Sequence, residues 1–195
     1  VLPGSRTSEI RFIQPQFREA VRLIAARVPG LQTIIPVVPH VAARVRDAVA
    51  DWPAPLHLVE SEDDKFAAFD TADAALAASG TVTTELALAR TPMAVGYRVG
   101  WLTYALALPF FSVKYFTLVN LLLDRLAVPE FLQASCNPQT LADAVVPLLT
   151  DQAKAGSQIR DLGEAAKLLG EGGESPSLRA ARALLDFVQR RESGM

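Results

Sequence analysis

The chain has 195 residues, with 19 Lys and Arg against 21 Asp and Glu, and half of its residues are hydrophobic. That length holds one sizeable domain or one and a half small ones, with enough apolar side chains to bury a core, so extensive disorder is excluded. A net charge of −2 gives no support to a general nucleic-acid binder, and the single cysteine, Cys136, excludes both a disulfide framework and a zinc site built from several thiolates.

Residues 1–11 contain no basic region followed by an apolar run, so no signal peptide is read there. Instead, Val1-Leu2 runs straight into Pro3-Gly4-Ser5 and Arg6. That pattern is the end of a buried strand, a tight loop and the start of a helix, and it predicts a segment preceding Val1. Ile13, Phe17, Val21, Ile24 and Val28 then recur at spacings of three and four, which predicts an amphipathic helix over 8–27, with Pro15 in its first turn. "LQTIIPVV" at 31–38 is short, apolar and β-branched, so a buried strand is expected. A helix begins at Pro39, carrying Val41, Val45 and Val49. "LHLVE" at 56–60 is strand again, with His57 expected in the core, and "ESEDDK" reads as a solvated loop with a helix cap. "DAALAAS" at 73–79, the helix "TVTTELALAR" and the strand "PMAVGYR" at 92–98 continue the rhythm. Alternation of this kind predicts a Rossmann-like doubly wound parallel sheet with helices on both faces.

Beyond residue 98 the pattern changes. The longest uncharged stretch, 99–113, contains Pro109 and is 15 residues long. That is short of the roughly 18–20 residues of a spanning helix, so a buried or interfacial helix and loop is expected. From Pro138 onward the chain reads as helical, with a "GEGGESP" break and a last helix over 177–191. The expected organisation is a ligand-binding α/β domain over 1–150 and additional C-terminal helices over 151–195.

Ligands of open α/β sheets sit where strand ends pass into helix starts. Two turns of this kind have suitable residues. In Leu2-Pro3-Gly4-Ser5-Arg6, glycine lets the backbone approach a ligand, and a helix N-terminus with Arg6 attracts anions. In "ASGTVTTE", Ser79, Gly80 and Thr81 offer donors suited to a pyrophosphate, and Glu85 lies one turn further in, where its carboxylate is placed to accept both hydroxyls of a ribose. A third segment, "VNLLLDRLAVPEFLQ" at 119–133, sets Asn120 and Glu130 among apolar residues, where they need hydrogen-bond partners within the loop or on a ligand. Neither G-x-G-x-x-G nor a P-loop occurs, no Asp-x-Asp pair is available for a metal on a nucleotide sugar, and His40 and His57 lack companion ligands. No metal site is therefore expected, and Cys136 is read as a structural thiol.

Together "LPGSRTSEI", "AALAASGTVTTELALARTPMAVGYRV", "LVNLLLDRLAVPEFLQ" and "GGESPSLRAARALL" resemble the C-terminal half of lipid-A-disaccharide synthase, nearly continuously over residues 1–190. The chain departs from the commonest family pattern at Val119 and Leu126. The resemblance implies one half of a GT-B glycosyltransferase, inverting and without a metal or other cofactor. Such an enzyme transfers 2,3-diacylglucosamine from UDP to 2,3-diacylglucosamine 1-phosphate, giving lipid A disaccharide 1-phosphate and UDP. It implies that Ser5, Arg6 and Glu9 belong to the first binding loop, with Arg6 near the diphosphate. Ser79, Gly80 and Thr81 would face phosphate and Glu85 the ribose, while Asn120, Glu130 and Gln133 match polar positions without assigned roles. The acceptor domain with the catalytic base would precede Val1, so the chain alone is expected to be inactive. The same resemblance implies a cytoplasmic protein peripheral on the inner-membrane surface, and it is compatible with a homodimer. Two other readings remain: a GT-B transferase of cell-wall precursor synthesis, and a non-catalytic nucleotide-binding module.

Overall fold

The strand sequences Ala75-Leu-Ala-Ala78 and Met93-Ala-Val-Gly-Tyr97 contain hardly a polar side chain, and this dictates a sheet covered on both faces. The computed structural model describes residues 1–37, 42–100 and 114–173, with residues 178, 181, 182, 184 and 185 beyond them. Strands β1 (Thr33–Pro36) and β2 (Leu56–Val59) pair in parallel, with Thr33 opposite Leu56. Strands β3 (Ala75–Ala78), β4 (Met93–Tyr97) and β5 (Glu130–Leu132) form a second parallel group in the order β3-β4-β5. Val1-Leu2 joins the two groups. The Val1 nitrogen donates to the Ile34 carbonyl at 2.7 Å. The Leu2 N–H donates to Leu76 O, and Leu2 O accepts from the Ala78 N–H, both at 2.8 Å. The resulting spatial order is β2-β1-(1–2)-β3-β4-β5, a doubly wound sheet whose switch point lies between Leu2 and β3.

Seven helices among the described residues cover this sheet: α1 (Thr7–Ala25), α2 (Ala42–Ala48), α3 (Glu62–Thr71), α4 (Val82–Leu88), α5 (Leu118–Leu123), α6 (Pro138–Thr150) and α7 (Gln152–Leu169). Alternation along the strands assigns them to faces. Leu76, Ala78 and Ala94 point to one side, into a core with Ile13, Phe17 and Ile24 of α1 and with Leu141 and Val145 of α6. Ala75, Ala77, Met93 and Val95 point to the other, against Leu86 of α4, Val119 of α5 and Leu162 of α7. The alanines of β3 leave room for the larger helix side chains to approach. Helix α7 shares this second core, so residues beyond 150 are built into the body of the sheet domain.

Most expected elements form within a few residues of their sequence limits, but three details differ. Pro15 lies inside α1 rather than in its first turn, on the exposed face, while Ile10, Ile13, Phe17, Val21 and Ile24 are buried. His57 is exposed, because β2 is an edge strand. Strand β5 is too short for any periodicity to announce it; it forms because the Val95 N–H donates to the Pro129 carbonyl at 2.8 Å and opens a parallel pairing with β4. Of the expected interfacial stretch at 101–118, residues 101–113 lie outside the described residues, as do the start of the second helix at 39–41 and most of the last helix, while Phe116 packs against the second core. No helix among the described residues is long and apolar enough to cross a membrane.

Cys136 fills the space under β4, and burial pushes its thiol pKa up, against a smaller opposing pull from Arg98. A side chain at Gly96 would place its Cβ 2.8 Å from the Cys136 sulfur and 3.0 Å from Cε1 of Phe17. Gly96→Ala therefore overpacks the α1–β4–Cys136 layer and should destabilise the fold by about 1–3 kcal/mol, read as a lower urea midpoint with unchanged slope.

Candidate functional site: the cleft at the switch point

The strand ends on either side of the switch point feed two loops into one cleft of about 360 Å³. Pro3, Gly4, Ser5 and Arg6 line one wall, and Ser79, Gly80 and Thr81 line the other. Val37 closes the β1 side, while Lys65 of α3 and Glu85 of α4 reach in from the helices. Gly4 has φ of 100°, a conformation that lets the chain leave the strand and enter α1 at once. The Arg6 carbonyl accepts the Ile10 N–H at 3.0 Å and so opens the helical ladder. In the second loop, the buried Thr83 hydroxyl donates to the Gly80 carbonyl at 2.8 Å and fixes the turn. Gly80 itself has an ordinary φ, and a Cβ built there meets nothing within 4 Å. The fold does not require glycine at that position; its absent side chain leaves bare backbone facing the cleft.

The described ionisable residues lining the cleft are Arg6, Lys65 and Glu85. Lys65 Nζ stands 3.1 Å from Glu85 Oε2, with the two side chains 21% and 33% exposed. The acidic first turn of α3 is capped as expected, the Ser61 hydroxyl accepting from the Asp64 N–H at 3.0 Å. Lys65 emerges from this apparently solvated loop-and-cap segment, and sequence reasoning missed it. Only the packing of α3 beside α4 turns it inward, and no local spacing signals that.

Ser5, Arg6, Ser79, Gly80, Thr81 and Glu85 are thus brought together. Glu9 lies in the first turn of α1, with its side chain outside the described residues. Asn120, Glu130 and Gln133 do not line the cleft and instead bind backbone. Asn120 is fully buried; its Nδ2 donates to Val128 O at 2.8 Å, and its Oδ1 accepts from the N–H groups of Ala127 at 2.9 Å and Val128 at 2.8 Å. The Glu130 carboxylate accepts from the N–H groups of Phe116 at 3.1 Å and Thr117 at 2.9 Å. The Gln133 side-chain amide accepts from the Val99 N–H at 2.8 Å and donates to the Val99 carbonyl at 3.2 Å.

A larger cavity of about 520 Å³ opens at the amino edge of the sheet, beside Val1, Thr33 and Ala75. Size alone would favour it. The smaller cleft is the candidate site because it lies at the carboxyl edge, at the switch point, where both helix-entry loops and all three charged groups converge.

A Rossmann-like α/β domain with its cleft at the switch point is the class that fold and site define. The family model described as lipid-A-disaccharide synthetase matches residues 1–181. Proteins named lipid-A-disaccharide synthase from Rhodospirillum centenum and Paramagnetospirillum magneticum are 46% and 45% identical to the chain, over 98% and 97% of its length. The protein of that name from Ruegeria pomeroyi is 42% identical over 95% of the chain. The chain belongs to the lipid-A-disaccharide synthase family, and it spans about half the length of these relatives, between 47% and 49%.

The Asn120 network yields a stability prediction. Asn120→Ala leaves two N–H groups and one carbonyl near the core without their partner, and should lower unfolding free energy by at least about 2 kcal/mol in urea titrations.

Proposed function

We propose that the chain is the donor-nucleotide half of a glycosyltransferase. The reaction moves 2,3-diacylglucosamine from UDP to 2,3-diacylglucosamine 1-phosphate, giving lipid A disaccharide 1-phosphate and UDP. The convergence of both helix-entry loops with Arg6 and Glu85 in a single cleft carries this reading. Family membership supports the lipid A assignment. The diphosphate lies against the N-terminus of the long helix α1 and the Arg6 guanidinium, while Glu85 accepts the ribose hydroxyls. As the anomeric bond breaks, negative charge grows on the departing diphosphate, and fixed positive groups lower the barrier by stabilising it.

Binding requires no divalent cation in this reading, since backbone dipoles and Arg6 neutralise the diphosphate. Titration calorimetry with UDP in excess EDTA should give the same affinity as with magnesium. Glu85→Ala should weaken UDP by roughly 1.5–3 kcal/mol, the range for hydrogen bonds to charged groups, while weakening pyrophosphate far less. Equal loss for both ligands would refute the ribose role, and loss of UDP binding on chelation would refute metal independence.

The substrates proposed here are lipids, so the reading includes peripheral attachment to the inner membrane. Along the sequence Trp101, Tyr104, Phe110, Phe111 and Tyr115 accompany the single charge of Lys114, a composition suited to the headgroup level, while Phe116 packs inward against the core. The chain should float with anionic vesicles. Phe110→Ser combined with Phe111→Ser should abolish flotation and leave UDP binding intact; unfolding of the double variant would instead place the stretch in the core.

A further inference from the structure

We infer that Lys65 is a positioning residue for the cleft: it holds the Glu85 carboxylate in the orientation that recognises a vicinal diol. The inference rests on the nucleotide reading above and adds a residue to it.

Three observations carry it. First, Lys65 Nζ lies 3.1 Å from Glu85 Oε2, whereas its neighbour on α3, Glu62, stands 3.8 Å away and is 79% exposed. Glu85 is therefore the close partner, and Glu62 a solvated second one. Second, the ammonium is held from behind. It lies 4.4 Å from the ring centre of Phe66 and 5.9 Å from that of Phe69, and these rings meet edge to face. Phe69 is anchored in the core. A flexible four-carbon stem is thereby confined to one side of the cleft. Third, both charged ends line the cleft itself.

The chemistry follows from valence. An ionised carboxylate offers about four lone-pair directions over two oxygens. Lys65 engages Oε2 from the α3 side and leaves directions on both oxygens open to the cleft, enough for two hydroxyl donors. Without the ammonium, the Glu85 side chain is free to rotate among its rotamers, and a diol must freeze it on binding. Lys65 meets that ordering cost before the ligand arrives. It also offsets the Glu85 charge, so that an anionic diphosphate enters a cleft in which Arg6 is not opposed by a bare carboxylate.

The two effects are separable. UDP and 2′,3′-dideoxyuridine 5′-diphosphate carry the same charge and base and differ only in the hydroxyls. The wild-type chain should prefer UDP. Lys65→Met, which keeps the stem against the phenylalanines, should lower that preference about fivefold, the upper end of what a half-exposed ion pair supplies, while Lys65→Arg keeps most of it. Lys65→Gln should show the same loss as Lys65→Met, and thermal melts of each variant report folding. In a Glu85→Gln background, Lys65→Met should change the preference no further. A preference that survives both Lys65→Met and Lys65→Gln, or losses that add in the double variant, would overturn the role of Lys65 while leaving the nucleotide reading standing. A wild-type chain that binds neither diphosphate would overturn that reading itself.

Discussion

Three backbone hydrogen bonds made by Val1 and Leu2 determine where everything else stands. They insert two residues between β1 and β3 and so turn two parallel groups of strands into one sheet. Each such bond contributes only about 1 kcal/mol net, but leaving these buried groups unpaired would cost more than that apiece. The same insertion creates the switch point, because the chain builds β1 and β2 on one side and then crosses to build β3, β4 and β5 on the other. Loops 3–6 and 79–81 diverge from adjacent strands there, one toward α1 on one face and the other toward α4 on the opposite face. The cleft is a consequence of winding before it is a consequence of any side chain.

Side-chain size then sets how close the layers come. Ala78, Ala94 and the absent side chain at Gly96 let α1 and α6 approach one face of the sheet, where Phe17 and Cys136 fill the space. Bulk on the helices replaces bulk on the strands. This arrangement holds α1 rigidly, and the N-terminal turn of α1 is what Arg6 introduces into the cleft.

Legibility in the sequence followed the range of the interaction. The two loops were readable because strand end, glycine, hydroxyl residues and helix start lie within eight residues of one another, and helical geometry alone puts Glu85 one turn beyond Thr81. Asn120 and Glu130 were readable as polar groups in need of partners, but not the identity of those partners, which are backbone groups of residues 116, 117, 127 and 128. Gln133 bonds Val99, 34 residues away. Glu130 and Gln133 thus tie down Phe116 and Val99, the two flanks of the apolar stretch, a bracket that no pattern in the sequence contains. Strand β5 and the inward turn of Lys65 were hidden for the same reason: each depends on a packing contact between distant segments. His57 shows the converse, an apolar-looking strand whose edge position exposes a residue expected inside.

The intermediate exposure of the Lys65–Glu85 pair bears on how the cleft can work. A fully buried pair would incur a desolvation cost of several kcal/mol per ion and would hold its partners too tightly to admit a third group. A fully exposed pair would be screened by salt and would impose no orientation. At 21% and 33% exposure the ammonium is fixed on its apolar side by Phe66 and Phe69, while the carboxylate still faces water that a ligand hydroxyl can replace one for one. Exchange of water for hydroxyl keeps the number of hydrogen bonds to the carboxylate constant, so binding need not break the ion pair in order to use the carboxylate. In the proposed role, the site is thereby ordered enough to select a diol and wet enough to let it enter.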